Sequence, residues 1–374
     1  MNAQVNVCPA RAVTDFRRPA FCVYGLAFDH LTMDEVLKLS AQVFKDRTRV
    51  VLSTPNVNHA VAIQQNPAFR DSVVRCDLVV PDGMPLVWVA RLLGIKASRV
   101  AGSNFFERLN EGEAGLLKVF FFGGPEGIAD QASSKLSRGS GAVSGVGGYY
   151  PGFGTIDEMA SAQVAAKINA ATPDFVVVAL GAVKGQAWID QIQPHLSAPM
   201  ISHLGAVVNF MAGSIRRAPW FLQVSGMEWM WRIREEPNLW RRYYDDAKGL
   251  AALFVRSTLP LLARRCVAPF LPAGRAALAT VQDEPSAQGG TLRMAGTWRD
   301  KDVEKLGDVL NAITAQPRHI VIDASGLEWV DQAVVAQLIR LRGHQARLGL
   351  TLRFERPAQA FAKAMRLHCA DYLL

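Results

Sequence analysis

The sequence predicts an α/β protein built on open, largely parallel sheets. Over about the first 210 residues, short apolar runs such as VVLS (50–53) and FVVVAL (175–180) alternate with amphipathic segments. Strands that are apolar on both faces are typical of parallel sheets, and the intervening segments are typical of the helices that connect them. Because such sheets bind ligands at the carboxyl ends of their strands, the loops that follow these runs are candidate binding loops.

Length and composition indicate a folded protein of two or three domains, since 374 residues with half of them apolar can bury several cores. The five cysteines are scattered without a C-x-x-C pair, so neither a disulfide framework nor a zinc site is predicted. The histidines show no ligand spacing, and we expect no metal site. The amino-terminal stretch lacks the continuous apolar region of a secretory signal. The scattered, unpaired cysteines fit a protein that works in a reducing compartment.

Changes in composition divide the chain into five parts. Residues 1–19 are polar and basic and are predicted to be a poorly ordered tail. An α/β core covers 20–215, a basic, aromatic helical appendage covers 216–271, and a turn-rich linker covers 272–289. Residues 290–374 repeat the order strand, helix, strand, helix, strand, helix and therefore predict a small second α/β domain.

The first elements of the core are marked by a strand pattern and a capping signal. FCVYGLAF (21–28) predicts one strand, and Thr32 followed by Glu35 predicts a capping box that opens a helix. The buried strand at 50–53 stops at Thr54-Pro55-Asn56, before a helix that starts near Val57. This is a strand, loop and helix of the kind that binds ligands.

A second such unit places Asp82 in a turn. Residues 77–80 predict a strand, Pro81-Asp82-Gly83 a turn, and 84–93 a helix. On spacing alone an N-cap role is favoured for Asp82. The functional alternative is a general base, which sugar transfer needs to accept the proton of the attacking hydroxyl.

A third unit runs from a strand at 118–122 through Gly123 and Gly124 to a helix near Pro125. Glycines at a helix start can let a backbone approach a diphosphate, but a tight turn needs glycine in any case and is the favoured explanation. The pattern is neither a dinucleotide-binding nor a Walker motif.

The appendage concentrates arginines among four tryptophans between residues 205 and 243. Guanidinium groups fit phosphate or carboxylate, which predicts an anionic ligand. Intrahelical pairing is the alternative, because Glu228, Arg232 and Glu236 are spaced four residues apart. The arginines are Arg216, Arg217, Arg232, Arg234, Arg241 and Arg242.

Two ordered sets of residues resemble the WecG/TagA/CpsF glycosyltransferases, over about residues 20–245. The first is T-x-N, P-D-G and R-V-x-G, at Thr54, Asn56, 81–83 and 99–102. The second, in the appendage, is Ala212, Gly213, Arg217, Ala218, Pro219, Glu228, Trp229, Arg232, Glu236, Pro237, Arg241, Arg242 and Tyr243.

This resemblance implies Rossmann-like sheets of the GT-E type and an inverting transfer of a sugar, N-acetylmannosamine or a related hexose, in polysaccharide biosynthesis. The donor would be a UDP-sugar and the acceptor a polyprenyl-diphosphate-linked sugar. It implies that Asp82 is the catalytic base. The implied substrate-binding residues are Thr54, Asn56, Arg99, Gly123, Gly124, Lys184, Gln186, Arg217, Arg232 and Arg242. Arginines would stabilise the departing UDP, and since no D-x-D follows a strand we expect no metal and no cofactor.

Several positions depart from the family pattern, and four of them lie in the α/β core. Where the family has G-x-P-K-Q-E-x-W, this chain places Val183, Gly185 and Gln186 at the proline, glutamine and glutamate, and Asn104 stands at an expected aspartate. Gln186 could serve in place of the missing glutamine. The alternative function is an impaired transferase that binds a sugar nucleotide or glycolipid and acts as a scaffold.

The stretch after Tyr243 is apolar but broken by Arg256, Pro260, Arg264 and Arg265, which is too short a run to span a bilayer. It fits either a helix on anionic lipid or one packed on the catalytic domain. The lipid-linked acceptor implied by the family favours a cytoplasmic protein at the inner leaflet. We expect no nucleic-acid partner. Only the positive charge suggests one, and the sequence contains no recognisable nucleic-acid-binding module.

The second domain resembles the STAS domain, a regulatory and protein-binding module. The resemblance rests on Asp323-x-Ser325-Gly326-Leu327 and on Val330-Asp331 before a helix. It implies a protein partner. Gln332 stands where phospho-regulated members have serine or threonine, so no phosphorylation switch is expected there. Ser325 is predicted to be a turn residue.

Overall fold

A computed structural model describes residues 9–267, 280–286 and 289–374. The strands of the core are β1 Ala20–Val23, β2 Leu26–Asp29, β3 Val50–Ser53, β4 Leu78–Val79, β5 Leu117–Gly123, β6 Val143–Tyr149, β7 Phe175–Ala179 and β8 Met200–His203. Its helices are α1 Met33–Asp46, α2 Val57–Ala62, α3 Pro67–Val74, α4 Met84–Leu92, α5 Gly102–Asn110, α6 Ile128–Arg138, α7 Ile156–Met159, α8 Ala162–Ala170, α9 Ala182–Ile192 and α10 Gly205–Ala212.

Six of these strands form a parallel sheet in the order β4-β3-β8-β7-β5-β6. Apolar clusters pack on both of its faces, as the continuous apolar strands predict. The predicted fold class is confirmed. The capping box at Thr32 is present, with Glu35 bonding back to the Thr32 backbone at 2.7 Å.

The stretch at 21–28, predicted as one strand, is the antiparallel hairpin β1–β2. Tyr24 and Gly25 form its two-residue turn with φ values of 54° and 80°. A left-handed turn of this kind joins strands with the correct twist. A Cβ on Gly25 would lie 2.2 Å from the carbonyl oxygen of Cys369, so glycine is required there for close approach as well.

Over its described residues, 216–267, the appendage is helical as predicted, and residues 268–271 lie outside the described residues. Its elements are α11 Trp220–Val224, α12 Glu228–Glu235, α13 Leu239–Leu253, a π-helical turn Phe254–Thr258 and α14 Leu259–Val267. Thr258 and Tyr24 share a buried hydrogen bond of 2.8 Å, and Ser257 donates to the carbonyl of Leu367 at 2.6 Å. The π-helical turn therefore lies between the core and the second domain. Within the described residues, no helix is long and apolar enough to cross a membrane.

The second domain contains β9 Thr280–Ser286, β10 Gly289–Trp298, α15 Val303–Thr314, β11 His319–Val330, α16 Gln332–Arg347, β12 Leu352–Glu355 and α17 Gln359–Leu367. Its sheet has the order β12-β11-β10-β9, with β9 antiparallel to β10 and the other pairs parallel. Strand β9 lies inside the predicted linker, so the domain starts earlier than residue 290. The predicted linker residues 272–279 and 287–288 lie outside the described residues.

The predicted tail contributes to the core, which corrects our expectation for residues 9–19; residues 1–8 lie outside the described residues. Phe16 is fully buried in the apolar cluster of the second domain, and Arg11 forms a β-bridge with Arg49. The prediction failed because a single aromatic residue in a polar stretch gives no periodic signal.

Helix α16 of the second domain packs on β1, β2 and α3 of the core. Two carboxylates lie at this interface. Asp77 accepts hydrogen bonds from Arg11 and from the backbone of Val51, and it lies 3.4 Å from Arg347 of α16. Asp29 likewise bonds Arg18 at 2.7 Å. The two domains therefore share one charged, largely buried network.

Phe16→Ala should lower the free energy of unfolding by about 3–5 kcal/mol, because it opens a cavity between the domains. Val13→Ala is the matched control, since Val13 is 90% exposed on the same segment and should change stability by less than about 0.5 kcal/mol. Urea unfolding followed by tryptophan fluorescence measures both. Equal effects of the two substitutions would contradict the packing of residues 9–19.

Candidate functional site

Two adjacent loops form the centre of the site at the carboxyl edge of the sheet. The neighbouring strands β3 and β4 lead into the loops that contain residues 54–56 and 81–83, and the backbone of Asp82 donates to the carbonyl of Pro55 at 3.0 Å. A Cβ built on Gly83 would lie 3.3 Å from that of Asn56, and one on Gly102 would lie 3.4 Å from Oγ1 of Thr54. The loops that carry Thr54, Asn56 and Asp82 are thus in direct contact.

Asp82 is not a helix N-cap. Helix α4 is capped by Gly83 without a side-chain bond, while the Asp82 carboxylate lies 3.4 Å from Arg99. Burial raises the pKa of Asp82 above its ordinary value, and the negative charge of Glu228 adds to this rise. Arg99 and the Gly102 N–H oppose it. With 28% of its side chain exposed, the carboxylate can still be reached.

Arg99 joins the core to the appendage. Its Nε donates to the backbone oxygen of Asp82 at 2.5 Å, its Nη1 to the carbonyl of Gln223 at 3.1 Å, and its Nη2 to Glu228 at 2.8 Å. All three bonds join the guanidinium to protein groups, whereas the family resemblance implied that Arg99 contacts the substrate. Arg99 thus holds α11 and α12 beside Asp82 and acts as a positioning residue.

Two appendage arginines carry unsatisfied donors. Arg217 bonds Asn104 and Glu107 of α5, and Arg232 bonds Glu236 at 2.9 Å. In both guanidiniums Nε is buried and has no hydrogen-bond partner within the described residues. An unsatisfied buried donor costs free energy, and a bound anion would satisfy it. Asn104, at the position of an expected aspartate, thus serves as an acceptor for Arg217.

Arg242 lies near a group of residues that the sequence did not single out. Its charge lowers the pKa values of His59 on α2 and Asp246 on α13. Burial is the larger effect on both groups: it lowers the pKa of His59, which falls to about 3, and raises that of Asp246. Asn58 donates to Asp246 at 2.9 Å, which ties α2 to α13. The arginine-rich helix therefore rests beside the loop of β3.

Gly123 and Gly124 adopt left-handed conformations, with φ values of 93° and 83° at the end of β5. The Gly124 N–H donates to the carbonyl of Ala179 at 2.7 Å, so it serves the turn between strands. Strand β5 lies four positions from β4 in the sheet, about 19 Å at the usual strand spacing. These glycines are thus well separated from Asp82.

Gln186 was expected to bind substrate, and the structure contradicts this. Its side chain is buried, with Nε2 directed to the carbonyl of Ser72 at 3.3 Å and to the sulfur of Cys76. It packs α9 against α3. Lys184, on the other side of α9, donates to the carbonyl of Gly154 at 3.0 Å, near the carboxyl edge of the sheet.

The motif of the second domain faces the appendage. Trp329 donates to Asp331 at 2.8 Å, and the guanidinium of Arg264 on α14 lies 3.4 Å from the centre of the Trp329 ring. Ser325 lies inside β11 at a register shift and donates its N–H to Asp323, so the simple turn expected there is a strand irregularity. Gln332 is the first residue of α16.

Across the described ranges, no group of three or more His, Cys, Asp or Glu side chains is placed to hold a metal ion. Glu228 is another site residue whose role was not predicted from the sequence. It was considered as a partner of Arg232, but its carboxylate pairs with Arg99, which is 129 residues away in the chain.

The chain belongs to the glycosyl transferase WecG/TagA/CpsF family, whose model matches residues 21–264. A second family model, described as Mlab, STAS domain, matches residues 281–374. The protein is therefore a glycosyltransferase with a carboxyl-terminal STAS domain, as the sequence predicted.

Three curated relatives carry the name N-acetylglucosaminyldiphosphoundecaprenol N-acetyl-beta-D-mannosaminyltransferase. That of Bacillus spizizenii is 29% identical over 206 residues, 54% of this chain and 77% of the relative. That of Bacillus subtilis is 28% identical over 202 residues, 53% and 76%. That of Staphylococcus aureus is 23% identical over 227 residues, 59% and 85%.

Gln186→Ala should reduce stability by about 1–3 kcal/mol, because it leaves a gap and unpaired groups between α9 and α3. The KM for the sugar donor should not change. Gln191→Ala, on the exposed side of the same helix, is the control for both measurements. Thermal unfolding and donor titration test this, and a rise in donor KM without loss of stability would restore Gln186 to the binding site.

Proposed function

We propose that this chain transfers a sugar, of the N-acetylmannosamine type or a related hexose, from UDP to a polyprenyl-diphosphate-linked sugar acceptor, with inversion at the anomeric carbon. The curated relatives are named for transfer to such an acceptor. The observation that carries the proposal is the Asp82 carboxylate, which is reachable at the carboxyl edge of the sheet and has a pKa raised by burial. A raised pKa strengthens a carboxylate as a proton acceptor.

In the proposed reaction, Asp82 accepts the proton of the acceptor hydroxyl as that oxygen attacks the anomeric carbon. A carbon–oxygen bond forms to the acceptor, and the bond to the β-phosphate oxygen of UDP breaks. UDP leaves with the bonding electron pair, and the proton stays on Asp82. Thr54 and Asn56, next to Asp82, would bind sugar hydroxyls of donor or acceptor.

Arginine side chains would stabilise the leaving diphosphate without a metal. The unsatisfied Nε donors of Arg217 and Arg232 support this, since each can bond a phosphate oxygen. Arg242 would add a third positive charge. Such preorganised donors act where negative charge develops in the transition state.

The appendage also offers a surface for the lipid of the acceptor and for the inner leaflet. Its exposed aromatic residues include Trp220 at 75% and Phe221 at 62%, and Trp240 and Tyr244 are more than half exposed. Exposed apolar groups next to arginines are typical of proteins that lie on anionic membranes. Cosedimentation with anionic vesicles measures this contact.

We assign the STAS domain a docking or regulatory role that acts through the appendage. Its Trp329 contacts Arg264 of α14, and α17 contacts the π-helical turn. A protein that binds the STAS domain would therefore act on α14 and the π-helical turn, which follow in the chain the helix α12 that lies beside Asp82.

Asp82→Asn should lower kcat/KM for transfer by about a hundredfold or more, since an amide cannot accept the proton. Asp46→Asn, an exposed aspartate on α1, is the control. UDP release is measured with a panel of UDP-sugars and a short-chain polyprenyl-diphosphate-sugar, with and without a chelator. A strict requirement for manganese would refute metal independence. If UDP-sugar binds but no donor is turned over, the scaffold alternative is correct.

The charges around Asp82 should move the pH profile in opposite directions. Because the ionised carboxylate is the active form, kcat/KM rises with pH through the pKa of Asp82. Glu228→Gln removes a charge that raises this pKa, so the rise should move to lower pH. Arg99→Gln removes a charge that lowers it, so the rise should move to higher pH. Shifts in the same direction would contradict Asp82 as the titrating base.

A further inference from the structure

Gly185 has no side chain, and the space next to its Cα is occupied by the side chain of His203. The resemblance described above implies a glutamine of the WecG/TagA/CpsF pattern at this position, and this chain carries a buried glycine near the start of α9. A Cβ built on Gly185 would lie 2.4 Å from Cδ2 of His203, a distance that real atoms do not allow. The imidazole of His203 therefore fills the space that a side chain at position 185 would enter.

His203 stands at a central position among the binding loops. It is the last residue of β8, and β8 lies between β3, which leads to Thr54 and Asn56, and β7, which leads to α9. Its ring also lies 3.6 Å from the Cβ position of Gly205, the first residue of α10. The imidazole is thus at the carboxyl edge of the sheet, where such folds bind their ligands.

The Nε2 atom of His203 is buried and has no hydrogen-bond partner within the described part of the chain. Buried polar atoms are normally paired, so an unpaired one at a ligand-binding edge is available to bond a ligand. Burial lowers the pKa of His203 to about 4, so the ring is neutral near pH 7 and can donate or accept one hydrogen bond. Its neighbour His59 bonds Asn56 at 3.1 Å, which continues the polar lining towards the loop of β3.

We propose that His203 is a donor-binding residue that replaces the family's glutamine at position 185, with Nε2 bonding an oxygen or nitrogen of the UDP-sugar. The proposal rests on the transferase function above. It explains how the chain can lose the glutamine and keep a hydrogen-bonding group at the same place. It also explains why Gln186, whose amide is buried against α3, is not needed as the substitute.

His203→Ala should raise the KM for the UDP-sugar about three- to tenfold, the effect of one hydrogen bond, with little change in kcat or in acceptor KM. Gly185→Gln alone should impair donor binding, because the glutamine meets the imidazole. The double variant Gly185→Gln/His203→Ala has room for the glutamine and should bind the donor better than His203→Ala. His195→Ala, an exposed histidine on the turn before β8, is the control.

Two outcomes would overturn the proposal. One is a His203→Ala variant that loses thermal stability while its donor KM equals that of wild type, as expected of a purely structural histidine. The other is a double variant that binds the donor no better than His203→Ala. If wild type transfers no sugar, the proposed function fails by itself, and calorimetric binding of UDP to wild type and His203→Ala then tests His203. Equal affinities in that comparison would refute its role.

Discussion

Two carboxylates at the domain interface, Asp29 and Asp77, hold the strand on which the site depends. Strand β4 has two residues, so its own ladder bonds give it little stability. Asp29 accepts the backbone N–H of Val79 at 2.8 Å, and Asp77 accepts that of Val51 at 2.9 Å. Arg18, Arg340 and Arg347 neutralise this pair. The strand that leads to Asp82 is thus fixed at one end by charges from both domains and at the other by the loop of β3.

The appendage is likewise held by contacts with both the core and the STAS domain. Charged bonds from Arg99 place α12 beside Asp82, whereas the π-helical turn and α14 are held by the hairpin and the STAS domain. A cavity of about 20 Å³ next to Asp29, Asp77, Arg340 and Arg347 has room for a single water, which suits an interface made of paired ions. The STAS domain therefore packs directly against the catalytic half, and it also carries its own motif.

Much of this fold can be predicted from the sequence because its parallel strands are apolar on both faces and stop at clear turn residues. The loops at Thr54 and Asp82 follow directly from that pattern. The Arg99–Glu228 pair and the role of Phe16 could not be predicted, since they join residues far apart in the chain. The burial of Gln186 could have been predicted, because Gln186 precedes Ile189 by three residues and so shares the buried face of α9. His203 ends an ordinary strand, and its importance appears only once Gly185 lies against it.

The hairpin turn of the transferase half is in close contact with the last residues of the STAS domain. At Gly25 the backbone of the transferase half approaches the carbonyl of Cys369 so closely that there is no room for a methyl group. Tyr372 also donates to the carbonyl of Gly25 at 2.9 Å. The hairpin therefore fits this particular STAS domain: a larger residue at position 25 would collide with the carbonyl of Cys369, and without the domain the Gly25 carbonyl would lose its bond from Tyr372.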